Sequence, residues 1–158
     1  MQDARRPEEG YFGIGVYQAK RQENVGVLWR GAYQLGAAFV FTVGARYRPQ
    51  PSDVYKTWRR LPLFSYIDVD ALMAAAPYDC PLVGIETEGI PLPNFEHPAQ
   101  AIYLLGAEDS GLPKALLERC HRVVSIPAVR SASYNVAQAG TLVMYDRLTK
   151  RQHGQEDS

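Results

Sequence analysis

Three short segments hold most of the side chains able to orient a nucleophile or hold a ligand. The first is Asn24-Val-Gly-Val-Leu-Trp-Arg30-Gly-Ala32. Asn24 can cap a helix starting at Val25, and Gly26 permits close backbone approach. Arg30 stands in an otherwise apolar stretch roughly two turns along, where a buried cation needs a partner or an anionic ligand. An arginine reaching the surface or paired structurally is the alternative. In the second segment, Leu104-Leu-Gly-Ala-Glu-Asp-Ser-Gly-Leu-Pro113, a strand runs into Gly106, acids and Gly111, then a helix. It would let backbone approach a ligand lying over the strand end, or simply form a tight turn. The third, Ile126-Pro-Ala-Val-Arg-Ser-Ala-Ser-Tyr-Asn-Val136, leads into the last helix. Ser133 can cap that helix, and Asn135 can both donate and accept hydrogen bonds. Capping alone would account for either residue taken singly.

Other chemistries fall away. Gly13 and Gly15 do not continue into GxGxxG, and neither GxxxxGK[ST] nor GxSxG occurs. His97, His121 and His153 have no metal-ligand or hydrolase spacing, so each reads as structural or exposed. Cys80 and Cys120 lie far apart and form no CxxC pair, which suggests neither a disulfide framework nor a zinc site.

The elements that must position these segments are visible in the apolar runs. Strand-like runs recur at Tyr11–Tyr17, Ala38–Gly44, Leu82–Ile85, Ala101–Gly106 and Arg122–Ile126, with a shorter one at Leu63–Ile67. Several are nearly continuous rather than alternating, as in strands covered on both faces. Helical spacing marks Val25–Leu35, closed by Gly36, then Pro113–Arg119, and a long amphipathic Ser133–Lys150. Alternating strands and helices predict a parallel α/β sheet flanked by helices. The Pro-rich stretch Pro49–Pro62 and the segment Gly89–Pro98 are the main irregular parts. No repeat, low-complexity tract or interdomain linker is seen.

At 158 residues, 46% hydrophobic and 22% charged, the chain fits one domain with a real core. The reading is a flexible tail over residues 1–10, one domain over 11–149 and a second tail over 150–158. Met1 is followed by charges, and the longest apolar run, Leu35 to Ala45, is too short to cross a bilayer. A cytoplasmic protein with no membrane partner is expected. The formal net charge of zero counts against indiscriminate coating of nucleic acid. Yet Arg46, Arg48, Lys56, Arg59 and Arg60 gather in one stretch against a single acid, Asp53. That stretch is either a solvated surface or an RNA-contacting one.

Taken together, the three segments resemble the SpoU (TrmH-like) branch of the SPOUT superfamily of RNA methyltransferases. That family shows N-x-G-x-x-x-R-x-A, then L-G-x-E-x-x-G-L, then I-P…S-x-N-V. Here these stand as Asn24…Arg30…Ala32, Leu105-Gly106-Ala107-Glu108…Gly111-Leu112 and Ile126-Pro127…Ser133-Tyr134-Asn135-Val136. Leu92…Phe95-Glu96-His97-Pro98 also looks like the family's segment before the second motif. The resemblance runs from about Tyr11 to Arg147, in order and in spacing. Where the family usually has Ser or Thr directly after the motif arginine, this chain has Gly31, and Asp109 stands where a further acid or Asn is common.

The resemblance implies an α/β domain whose C-terminal segment threads a loop as a trefoil knot, and a homodimer whose active sites use both subunits. It implies S-adenosylmethionine as cofactor, S-adenosylhomocysteine as product, and no metal. The cofactor residues carried over are Thr87, Leu105, Gly106, Glu108, Gly111, Ile126, Ala128, Tyr134, Asn135, Val136 and Ala139. The acceptor implied is a ribose 2′-hydroxyl in RNA; in its compactness the chain resembles the short tRNA enzymes that methylate the wobble-position ribose, so tRNA is the first choice and ribosomal RNA the second, with no role for DNA. Arg30 is then the central catalytic group, with Asn24, Glu108, Ser133 and Asn135 orienting the nucleophile, Arg30 and the cofactor. Because guanidinium stays protonated, Arg30 suits binding of phosphate or a developing alkoxide better than service as a simple base. RNA contact is expected from Arg30, Arg46, Arg48, Lys56, Arg59 and Arg60. A knotted protein that binds cofactor or RNA without methylating is the alternative, as is methylation of a base nitrogen.

Overall fold

The computed structural model describes residues 10–45, 60–106 and 110–156, with side chains through residue 152. Among these residues six strands form one sheet: β1 Tyr11–Tyr17, β2 Phe39–Val43, β3 Leu63–Tyr66, β4 Leu82–Pro91, β5 Gln100–Leu105 and β6 Arg122–Ser125. Their order across the sheet is β3-β2-β1-β5-β4-β6, and every neighbouring pair is parallel. The expected parallel α/β sheet flanked by helices is therefore present.

Helix α1, Gln22–Gln34, turns Val25, Leu28, Trp29 and Ala32 inward. It packs with α4, Val136–Glu156, on one face of the sheet, over a core that includes Ile14, Val83, Tyr103, Leu105 and Met144. The other face is covered by α2, Val69–Ala75, and α3, Lys114–Arg119, against Phe41, Leu82, Ile102 and Leu104. Burial on both faces is the reason the strands read as unbroken apolar runs.

Gly13 and Gly15 have a packing role. The Phe39 and Phe41 rings of β2 lie where a Cβ on either glycine would stand. Bare backbone in β1 thus makes room for aromatic rings from the neighbouring strand.

Several boundaries differ from the sequence reading. Helix α1 begins at Gln22, with Arg21 at the cap position, so Asn24 sits in the first turn instead of capping. Helix α4 begins at Val136 and runs to Glu156, so Ser133 precedes it. Pro113 is the cap residue of α3 and Lys114 opens the helix. Strand β4 continues past Ile85 to Pro91, and a 3₁₀ turn follows at Leu92–Asn94. Its register on β6 breaks there: Ile85 and Ile90 both pair with Val124, leaving the four residues between them outside the regular ladder. Helix α2 was missing from the sequence reading. Its signal was short, with Val69 and Leu72 buried and the Asp68 side chain accepting from the Ala71 N–H at 2.8 Å.

Candidate functional site

The carboxyl ends of β4, β5 and β6 open into a cavity of about 270 Å³. This is where open α/β sheets hold ligands, in the crevice beyond the strand ends. Ile85, Glu86 and Thr87 come from β4, and Leu105 and Gly106 from the end of β5. Ser110 and Gly111 follow from the next loop, Ile126 from the end of β6, and Ala132 to Tyr134 from the segment before α4. Val136 and Ala139 of α4 complete the wall.

Two hydrogen-bonded closures shape this space. The Glu86 carboxylate accepts from the Thr87 N–H through Oε1 and from the Leu112 N–H through Oε2, each at 2.8 Å. The second bond draws the loop after β5 onto β4. Gly111 there has φ +65°, and a Cβ on it would collide with Glu86 Oε2. Only glycine meets both demands comfortably. On the other side, the Tyr134 hydroxyl donates to the Pro127 carbonyl at 2.6 Å, closing the segment between β6 and α4.

Asn135 starts α4. Its Oδ1 accepts from the N–H groups of Ala137 (2.9 Å) and Gln138 (3.2 Å), the capping role. Ser133, the other capping candidate, instead lines the cavity. The Asn135 Nδ2 donates to Asn24 Oδ1 at 3.1 Å, joining the first segment to the third. Arg30 is exposed rather than buried among its apolar neighbours. At about 100° per residue it points roughly 120° away from Asn24 around α1.

Of the cofactor residues expected, Thr87, Leu105, Gly106, Gly111, Ile126, Tyr134, Val136 and Ala139 line one cavity. Ala128 and Asn135 do not line it; Asn135 is turned to the α4 backbone and to Asn24. Glu108 lies outside the described residues, as do Arg46, Arg48, Lys56 and Arg59 of the basic stretch. Arg60 is exposed, with its Nη1 donating to the Tyr33 hydroxyl at 3.3 Å. Sequence reasoning missed Ile85, Glu86 and Ala132. A carboxylate ending the apolar run Leu82–Ile85 was the available signal for Glu86.

Behind the cavity, α4 is tied to the chain between β4 and β5 by a polar network. Arg147 donates to the Tyr103 hydroxyl at 3.1 Å and to the carbonyls of Pro98 (2.6 Å) and Ala99 (2.9 Å). His97 Nδ1 lies 2.7 Å from that hydroxyl, and Nε2 lies 2.7 Å from Asp146 Oδ2. With Arg147 donating to Tyr103, the consistent tautomer has Tyr103 O–H donating to Nδ1 and Nε2–H donating to Asp146. Burial pushes His97 below its ordinary value although Asp146 opposes the shift. Desolvation prevails because the imidazole is 1% exposed. Burial also pushes the thiols of Cys80 and Cys120 up, away from ready thiolates.

Among the described residues, no group of three or more His, Cys, Asp or Glu could hold a metal ion, and no helix is long and apolar enough to cross a membrane.

A parallel sheet with a cavity at its carboxyl ends, walled by three loops and the start of α4, defines an α/β domain of particular design. The chain belongs to the SpoU rRNA Methylase family, whose profile matches residues 12–145. It is similar to the SpoU methyltransferase AviRb from Streptomyces viridochromogenes, with 28% identity and a TM-score of 0.81, over 92% of this chain and 62% of that one. The same enzyme in complex with AdoMet matches at 26% identity and a TM-score of 0.80, over 91% of this chain and 59% of that one. This chain thus spans less than two thirds of AviRb. A structure described by the 2-OH methylation of C/U34 on tRNA shares the fold at 21% identity and a TM-score of 0.79, over 94% of this chain and 99% of that one. No curated protein matches the chain.

Proposed function

We propose that this protein transfers a methyl group from S-adenosylmethionine to a ribose 2′-hydroxyl of RNA, with tRNA as the substrate. The observation that carries this reading is the cavity itself. Residues of the second and third family segments wall it, and the Asn24–Asn135 hydrogen bond holds the first segment beside it.

The lining suits such a cofactor. Ile85, Leu105, Ile126, Val136 and Ala139 offer apolar walls for a purine ring, the loops at Gly106, Gly111 and Tyr134 bring backbone polar groups to the edge, and Glu86 supplies negative charge. When bound, the cofactor supplies a methyl group already activated on a sulfonium, so the protein needs to position the acceptor and manage one proton. Ser133 lines the cavity and can hydrogen-bond the acceptor hydroxyl, whereas Asn135 holds the start of α4 in place. Arg30, exposed on α1 and turned away from Asn24, serves the cavity of a second copy in a homodimer. There its guanidinium binds phosphate or stabilises the alkoxide that develops as the hydroxyl loses its proton. The cytoplasm is the proposed location.

The choice of tRNA rests on the nearly end-to-end match with the structure concerned with tRNA C/U34. Ribosomal RNA is the second reading, favoured by the family's description. The test incubates purified protein with methyl-labelled S-adenosylmethionine and total RNA from cells lacking the modification, then digests the RNA and identifies labelled nucleosides. A 2′-O-methylated nucleoside in the tRNA fraction is expected. Label on a base would overturn ribose as acceptor, and absence of label in any RNA would overturn methyl transfer.

A further inference from the structure

Glu86 is the only charged residue among the described residues that line the cavity. It stands where β4 leaves its regular pairing with β6, between Ile85, which is 8% exposed, and the exposed Thr87. Both carboxylate oxygens are held: Oε1 by the Thr87 N–H and Oε2 by the Leu112 N–H, each at 2.8 Å. Two backbone donors fix the carboxylate but do not neutralise its charge. No lysine, arginine or histidine shares the described lining with it.

A fixed, half-buried carboxylate with no cation among the described lining residues makes the surrounding space negative, and low local dielectric strengthens that field relative to water. Resting on the proposed use of S-adenosylmethionine, we infer that Glu86 sets the charge preference of the cavity, favouring the cationic sulfonium of the substrate cofactor over the neutral thioether of the product. Methyl transfer removes the positive charge from sulfur, so the same carboxylate that favours loading ceases to hold that part of the ligand afterwards. Glu86 acts at once as a specificity determinant and as the latch holding the Gly111 loop.

The two roles are separable by calorimetry with S-adenosylmethionine and S-adenosylhomocysteine on the full chain, wild type and Glu86→Gln. A latch alone would weaken both ligands equally. Charge selection predicts that Glu86→Gln weakens S-adenosylmethionine about tenfold while S-adenosylhomocysteine changes by less than about threefold, so that the ratio of the two dissociation constants moves. Glu86→Asp, which keeps the charge on a shorter arm, should retain the wild-type ratio, and it provides the comparison if the glutamine variant melts early. An unchanged ratio in Glu86→Gln, or a ratio lost in Glu86→Asp as well, would overturn the inference. Failure of the wild type to bind either ligand would instead overturn the cofactor reading on which it rests.

Discussion

The side-chain amides of Asn135 and Asn24 meet at 3.1 Å across 111 positions of sequence. One carboxamide does two things. Its oxygen caps α4, and its nitrogen ties α1 to the entrance of that helix. The cavity-lining residues Tyr134 and Val136 flank it directly, so its position bears on the cavity wall. Serine caps helices nearly as well as asparagine but is too short to reach Asn24. Asn135→Ser should therefore melt within about 3 °C of the wild type, while Asn135→Ala loses the cap as well, about 1 kcal/mol. Methyl transfer should fall about tenfold or more in both, because both lose the link to α1. Thermal melts paired with single-turnover methylation separate the two effects; wild-type rates in Asn135→Ser would show that the link is dispensable.

Arg30 is exposed, so its removal should leave stability within about 0.5 kcal/mol of the wild type. Arg30→Ala should bind cofactor normally and lose methylation by about 100-fold or more. If Arg30 serves the partner's cavity, mixed dimers of Arg30→Ala and Asn135→Ala chains contain one intact site. Random mixing should then recover about a quarter of wild-type activity, more than either impaired parent shows alone. Recovery is measured after mixing and reannealing the two variants. No recovery would place Arg30 in its own chain's site.

Much of this arrangement could be read from the residues. Continuous runs such as Ala101–Gly106 announced buried parallel strands, and the second and third segments were placed at strand ends, where the cavity lies. What escaped had physical reasons. Asn24 is a good cap by type but sits inside the first turn of α1, and the choice between Ser133 and Asn135, left open by residue type, depends on where α4 meets the backbone. The outward direction of Arg30 follows from which face of α1 packs on α4 and the sheet, a tertiary choice. Glu86 was missed because its role comes from the Leu112 N–H, 26 positions away. Helix α2 was missed because seven residues hold barely two turns of apolar spacing.

Gly111 offers a direct test of the loop. Alanine there must adopt φ +65° and place its Cβ against Glu86 Oε2, so the loop must shift or the carboxylate must release it. A cost of about 1–3 kcal/mol is expected from backbone strain alone. Because the loop forms one wall of the cavity, Gly111→Ala should also weaken S-adenosylmethionine binding by about tenfold or more. Thermal melts and calorimetry check both effects. A destabilised protein with unchanged affinity would separate the loop from the ligand.

The His97 network gives a pH dependence whose sign is fixed. His97 titrates below its ordinary value, chiefly through burial, with the Asp146 hydrogen bond and charge opposing and Arg147 and Lys150 adding to the depression. Neutral His97 accepts the Tyr103 proton and donates to Asp146, while Lys150 holds the same Asp146 oxygen at 2.8 Å. Protonation would leave Tyr103 facing two donors, His97 and Arg147. In the unfolded chain His97 takes up a proton near its ordinary value of about 6.5, earlier on acidification than in the folded protein. The unfolded state then binds more protons, so this contribution to stability is present above that value and is lost as pH falls through the lowered folded value. The urea midpoint should decrease between about pH 7.5 and about pH 5.5. His97→Gln should be less stable at the upper pH and show a flatter dependence, since a side chain that cannot titrate replaces the imidazole. An equally steep slope in His97→Gln would assign the dependence to other groups.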